Sequence, residues 1–274
     1  MPAASDSSPF TGTAPYYARY RVPYPDDLIR DLVEDFRLDG TGRLLDLGCG
    51  PGTVALRLAR RFEEIVGVDP DADMIAEAER QSKAAGVHNA RWLQMRAEEI
   101  SSDLGSFRLV TMGASFHWMD QQLVLRRCYD LLSEGGGIAI FGMGSLWSSS
   151  EPWQQEVKRV LQKWLGEERR AGRDRTFRHP EERWEQLLAR SPFVDIQQRT
   201  YPFDHVWTVD SIVGDLYSTS YAARPLFGDH VGDFEQDVRE ALLSLNPDGV
   251  FQERIVADAL LAWKRASESA EHSR

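Results

Sequence analysis

Through the first half of the chain, short apolar runs alternate with stretches in which apolar residues recur every three or four positions. Leu44-Leu45-Asp46-Leu47 predicts a buried strand that ends in a glycine turn. Beyond it, Ala55, Leu58, Ala59 and Phe62 are spaced to share one helix face. Residues 65–69 predict a second strand and 71–85 a second helix, with further strands over 90–95 and 109–112. Val124, Cys128, Leu131 and Leu132 mark a helix that Gly135-Gly136-Gly137 is expected to stop, before a fifth strand over 138–141. Strands alternating with helices at this pace predict a parallel sheet with right-handed crossovers, an α/β chain of the doubly wound, Rossmann-like type.

The second half is less regular. Residues 152–165 and 181–189 predict helices joined by a charged loop, and 194–209 alternates like a strand or a bent pair of strands. Helices are predicted over 212–221 and 231–245, and 251–264 closes the chain as a strand. Because that last strand reads as returning to the sheet, we expect a single domain over residues 16–265. Helical cap insertions around 145–192 and 210–246 would lie over the ligand edge. Residues 1–15 and 266–274 read as disordered tails.

Composition narrows the partners. The net charge of −11 over 274 residues opposes an extended phosphate footprint, so nucleic acid is not an expected partner. A local basic cluster, Arg169, Arg170, Arg173 and Arg175, is interleaved with Glu167, Glu168 and Asp174 and reads as a solvated helix end or loop. The two cysteines, Cys49 and Cys128, have no disulfide or zinc spacing, which fits a reducing cytoplasm, and no metal site is legible. The amino terminus has neither the basic nor the apolar segment of a secretion signal. No apolar run reaches transmembrane length, so no membrane partner is expected.

The chemistry concentrates in LLDLGCGPG, residues 44–52, where Gly48, Gly50 and Gly52 follow a strand and precede a helix. Without a Cβ, glycine accepts positive φ and lets a ligand approach the backbone. In a doubly wound sheet this turn lies at the carboxyl edge, where ligands bind. Asp69 ends the next strand, twenty-one residues after Gly48, the position from which a carboxylate accepts hydrogen bonds from ribose hydroxyls. The spacing GxGxG rather than GxGxxG disfavours a nicotinamide dehydrogenase. A tight turn with an ordinary capping acid is the purely structural alternative.

Asp46-Leu47-Gly48-Cys49-Gly50-Pro51-Gly52 resembles the first motif of the class I S-adenosylmethionine methyltransferases, and Gly67 to Met74 is similar to their second. Arg96-Ala97-Glu98-Glu99-Ile100 resembles the acidic segment that borders the adenine in that family. Val110 to Asp120 and Leu131 to Ile140 resemble its fourth- and fifth-strand regions. The resemblance covers roughly residues 16–143 and the remainder loosely. It implies S-adenosyl-L-methionine as cofactor and a seven-stranded sheet with one antiparallel strand. By this resemblance the backbone at Gly48 and Gly50 lies beside the cofactor's amino-acid part, Asp69 takes the ribose, and Met74 and Ala97 flank the adenine. Asp46, Pro70, Glu98 and Gly113, in the same motifs, complete the expected contacts.

Tyr16-Tyr17-Ala18-Arg19-Tyr20-Arg21-Val22-Pro23-Tyr24-Pro25 resembles the amino-terminal segment of trans-aconitate-methyltransferase-like and antibiotic-tailoring relatives, where it folds over the cofactor. Aromatic faces suit a sulfonium and an arginine suits a carboxylate, so Tyr17 and Arg21 are expected at the cofactor and Tyr16 and Tyr24 at the substrate. A surface helix and turn packed by tyrosines is the plainer reading. Phe116-His117-Trp118 follows the fourth strand. His117 has three open roles: general base, cofactor positioning, or packing. Phe116 and Trp118 are candidates for the wall of the methyl channel, with Phe116 and His117 also touching cofactor. Tyr217 and Tyr221, with Ser218 and Ser220 between them, are candidate substrate contacts at a predicted helix end. Trp147, Trp153 and Trp164 read as anchors of the insertion, and His179, His205 and His230 as surface histidines.

These residues predict methyl transfer to a nitrogen or oxygen of a small molecule, in specialised metabolism such as antibiotic biosynthesis. A nucleic-acid methyltransferase is the alternative, disfavoured by charge and by Gly113-Ala114-Ser115-Phe116, where amino-methylating nucleic-acid enzymes carry Asn/Asp-Pro-Pro-aromatic. A non-enzymatic cofactor-binding protein is the second alternative.

Overall fold

The computed structural model describes residues 8–172, 176 and 182–265. Two helices, α1 (Ala14–Tyr20) and α2 (Asp26–Asp35), precede β1 (Arg43–Leu47). There follow α3 (Ala55–Leu58), β2 (Glu64–Asp69), α4 (Ala72–Ala85), β3 (Ala90–Gln94), β4 (Phe107–Gly113), α5 (Gln121–Leu131) and β5 (Leu132–Met143). The second half adds α6 (Pro152–Leu165), α7 (Trp184–Ala189), β6 (Val194–Thr208), α8 (Val209–Tyr217), α9 (Val231–Leu245) and β7 (Val250–Trp263). The sheet has seven strands in the order β3-β2-β1-β4-β5-β7-β6, with β1 to β5 parallel and β7 antiparallel to both its neighbours. The Rossmann-like α/β fold and the single reversed strand agree with the sequence reading.

The apolar runs of β1, β2 and β4 exist because both faces of the sheet are covered. Leu45, Leu47, Val66, Val68 and Val110 face one core with α5 and α7, while Leu44, Ile65 and Leu109 face another with α2 and α3. Adjacent residues of one strand therefore feed opposite cores, the period-two rule of a strand. A third cluster, with Trp153, Val157, Trp207, Phe234 and Phe251, lies in the α6, α8 and α9 region and leans on the antiparallel β6–β7 pair.

Several details differ from the expectations. Gly136 and Gly137 do not end a helix; they lie inside β5, which starts directly after α5 at Leu132. A Cβ on Gly136 would sit 2.7 Å from the Arg108 carbonyl oxygen, and one on Gly137 would sit 2.4 Å from that of Ala262, so the strand passes there only as glycine. The helix expected over 212–221 is displaced to α8, because Thr208 and Ser211 cap it reciprocally at its start. At its end the Ser218 and Thr219 hydroxyls donate to the Asp215 and Leu216 carbonyls and turn the chain. The helix α7, expected in the cap, packs on the sheet face: Leu187 and Leu188 join the core that holds Val110 and Leu260. The expected amino-terminal tail is ordered from residue 8 on. Thr13 is buried, and the Phe10 ring meets Trp118 edge-on at 5.5 Å. Residues 1–7 and 266–274, and with them the rest of the expected tails, lie outside the described residues, as do Arg173, Asp174, Arg175 and His179. Among the described residues no helix is long and apolar enough to cross a membrane.

Candidate active site

The carboxyl ends of β1 and β4 open into a cavity of about 220 Å³ roofed by the amino-terminal segment and by α6 and α8. At its base the glycine turn leaves β1. Gly48 has φ +63°, and a Cβ there would stand 2.5 Å from the Ser115 Cβ; Gly50 has φ +54°, and a Cβ there would make no contact closer than ordinary van der Waals range. Asp69 ties this turn to the next strand. One of its oxygens accepts from the Gly50 N–H at 3.0 Å, the other from the Asp71 N–H at 2.9 Å. Burial pushes the Asp69 carboxyl up to about 6, against the pull of those two hydrogen bonds.

Asp46, only 1% exposed, accepts from the Thr111 hydroxyl at 2.7 Å, and its second oxygen has no hydrogen-bond partner. Burial raises its carboxyl to about 7. An unsatisfied buried carboxylate oxygen is costly, and a ligand donor beside it would remove that cost. The same holds for the Arg21 Nε, also buried without a partner. The Arg21 guanidinium lies 5.0 Å from the Tyr17 ring centre and 3.7 Å from the Asp215 carboxylate. The segment that carries it is anchored below by Arg57, which donates to the Tyr24 carbonyl and to Asp26.

His117 faces the cavity beside Trp118, their ring centres 5.1 Å apart. Burial, helped by the Arg169 charge, lowers the imidazole to about 4, so it is neutral near pH 7. The aromatic Tyr17, Tyr24, Trp118 and Tyr221 line the same cavity with Asp46, Gly48 and Gly113. Gly50, Asp69, Pro70, Met74, Ala97 and Glu98 lie outside that lining, on the β2 and β3 side of the turn. There Met74 Sδ would be 4.0 Å from a Cβ on Gly50, and Glu98 accepts from the Asp120 N–H at 2.8 Å.

Three of the expected residues are placed elsewhere. Phe116 is fully buried in the sheet core, edge-on to Trp184 at 5.6 Å, because the short turn after β4 points successive side chains to opposite sides. Tyr217 is buried with its hydroxyl toward Glu235 and the Val231 carbonyl, and Tyr16 packs edge-on against it at 5.3 Å. Neither tyrosine lines the cavity. The sequence reading missed Asp215, Glu253 and Trp207 as lining residues and took Trp153 only as an anchor. The alternation along 194–209 and 251–264 carried the signal for Trp207 and Glu253, as inward positions of strands; nothing local marked the inward side as a ligand wall.

Residues 44–136 match the model of the methyltransferase domain family. The trans-aconitate 2-methyltransferase of Rhizobium etli is 26% identical over 181 residues, 63% of this chain and 66% of that protein. The crystal structure of the YcgJ protein of Bacillus subtilis superposes with a TM-score of 0.57 at 17% identity, covering 89% of this chain and all of that one. Phosphoethanolamine N-methyltransferase 2 of Haemonchus contortus, in complex with S-adenosyl-L-methionine, superposes with a TM-score of 0.55 at 16% identity, covering 93% of this chain and 56% of that one. The chain spans about half the length of the first curated relatives it matches, 46% and 57%. Residues 44–136 therefore carry the pattern of a methyltransferase domain, set on the fold that these solved structures share.

Proposed function

We propose that the protein transfers a methyl group from S-adenosylmethionine to a nitrogen or oxygen of a small molecule, in specialised metabolism. The observation that carries this reading is the roofed cavity running from the glycine turn to an aromatic wall supplied by the cap. Roofed by the amino-terminal segment, α6 and α8, it is enclosed in the manner of a small-molecule site rather than open like a groove for a polymer. The net charge of −11 argues the same way against nucleic acid.

When bound, the cofactor supplies an electrophilic methyl on a sulfonium. The chain's own residues would hold it as follows. Asp69 would accept from the ribose hydroxyls, with Met74 and Ala97 beside the adenine. Arg21 would offer its unpartnered Nε to the methionine carboxylate, and the free oxygen of Asp46 would take a donor from the amino-acid part. Tyr17 and Tyr24 would place ring faces near the sulfonium. Closure by the amino-terminal segment would exclude water, and methyl transfer then depends chiefly on alignment.

His117 is neutral, but with its imidazole lowered to about 4 it is a weak base for a phenol or alcohol. Its place in the lining supports a positioning role for cofactor. The test is turnover of isotope-labelled S-adenosylmethionine against a panel of amines, phenols and acids, with His117→Ala alongside. We expect transfer to one class of acceptor, and in the variant a weakened affinity for S-adenosylhomocysteine with all acceptors slowed alike. A kcat loss of about 10²–10⁴ with intact cofactor affinity would make His117 the base. Binding of cofactor without transfer to any acceptor would support the non-enzymatic alternative.

A further inference from the structure

The cavity is chemically two-sided. Its arginines are Arg21, beside Tyr17 and paired with Asp215, and Arg169, 5.2 Å from the Tyr221 ring centre and close enough to His117 to shift its titration. The opposite wall is built by β7. This strand passes the end of β5, where Met143 pairs with Ala257, and continues outward. Glu253 stands roughly 13 Å of extended strand beyond that pair, on the inward face with Phe251 and Ile255.

Both oxygens of Glu253 are held by neutral donors: Gln154 Nε2 at 2.9 Å and Trp207 Nε1 at 2.6 Å. Among the described residues no cation pairs with it. Across the strand pair stands His205, whose imidazole burial lowers, so it does not supply a charge near pH 7. Two neutral N–H groups fix where the half-buried carboxylate points without offsetting its charge, so an arriving cation would meet an oriented acceptor. Asp215, on α8, lines the same cavity, and its ion pair with Arg21 is long at 3.7 Å. The indoles of Trp153 and Trp207 line the same cavity, ring centres 6.1 Å apart and tilted by 54°. The Trp153 Nε1 is itself buried without a partner. Carboxylates flanked by aromatic faces recognise an ammonium by charge and by cation–π attraction together.

We propose that Glu253, Asp215, Trp153 and Trp207 form the seat for an ammonium group of the acceptor, so that the acceptor is a cationic amine rather than a carboxylic acid or a neutral phenol. The inference rests on the methyl-transfer reading, since it assigns the acceptor end of the same cavity. Within this seat Glu253 is the carboxylate without a cationic partner among the described residues, while Asp215 also faces Arg21 at 3.7 Å.

The test uses the full chain saturated with S-adenosylhomocysteine, and titrates benzyltrimethylammonium, benzyl alcohol and benzoate by calorimetry and tryptophan fluorescence. The cation should bind saturably and at least about tenfold more tightly than either other probe, and Glu253→Gln should remove about tenfold of that preference. Asp215→Asn serves as a second variant if the first does not fold, with the same expected direction. Absence of binding by the cation, equal or tighter binding by benzoate, or an unchanged preference in the folded variant overturns the ammonium seat. Titration of S-adenosylhomocysteine into the unliganded protein reports separately on the cofactor reading: binding there without cation preference defeats this inference alone.

Discussion

The strands that carry the glycine turn are covered on both faces, whereas the projecting half of the β6–β7 pair is covered on one. Leu44, Leu45, Ile65 and Val66 are fully buried, two toward each core. On that pair, Phe251 and Ile255 are buried beneath the cap while Val206 and Val256 are 58% and 39% exposed. The first region fixes backbone: Gly48, Gly50 and the Asp69 carboxylate are held by a packed sheet that cannot shift without opening two cores. The second supplies side chains, and its aromatic cluster with Trp153 and Trp207 is a separate apolar unit. A site assembled from both can keep a constant cofactor end and a variable acceptor end, because each end has its own core.

That division can be broken from the cap side. Trp153→Ala removes a buried indole from the cap cluster and should cost about 3–5 kcal/mol of stability. A thermal melt checks it, and at temperatures where the variant is folded, cofactor affinity should stay close to wild type. If cofactor binding falls with cap stability, the two regions are one cooperative unit.

From the sheet side, Gly50→Val puts a β-branched residue at φ +54°, where the backbone strain alone costs of order 1–3 kcal/mol and the side chain occupies the ligand approach. Binding of S-adenosylhomocysteine should be lost, with a melting temperature lowered by only a few degrees. Normal binding would show that the turn does not face the ligand.

The smallest expected effect is on pH. The Asp69 carboxyl, raised to about 6 by burial, must be ionised to accept from two hydroxyls. Affinity for S-adenosylhomocysteine should therefore be full above that value and decline as pH falls through about 6, by up to about tenfold per pH unit for a single proton. The sign for stability is opposite. A carboxyl raised on folding favours the folded state only while protonated, so the unliganded protein should lose a little stability as pH rises from about 4 to about 6. Asp69→Asn should remove the Asp69 share of both profiles and leave the share of Asp46, whose carboxyl burial raises to about 7.

The cofactor end was legible because its determinants are local. Asp46 to Gly52 and Asp69 are read from one strand–turn–helix–strand passage, and the burial that holds that passage in place is written in Leu44, Leu45, Ile65 and Val66. Helices α6 and α9 were also read to the residue, one starting with Pro152 at a first-turn position and the other carrying a regular apolar face. The acceptor end was not legible in the same way. Glu253 and Trp207 are ordinary inward positions of an antiparallel pair, and only the distance by which β7 overshoots β5 turns them into a ligand wall. Phe116 went the other way: its neighbours His117 and Trp118 line the cavity, but the turn after β4 buries the phenylalanine in the core. Local pattern reports burial and period; it does not report which buried side chains meet across a register.

The central claim is that the turn and Asp69 hold S-adenosylmethionine through its ribose. Calorimetric titration of S-adenosylhomocysteine into the wild-type protein and into Asp69→Ala tests it most directly. Loss of two charge-assisted hydrogen bonds should weaken binding by about 1.5–3 kcal/mol, roughly tenfold or more, in a variant that a melt shows to be folded. The account predicts one site in the wild type and that loss in the variant; no binding by the wild type, or equal affinity in the two, would contradict it.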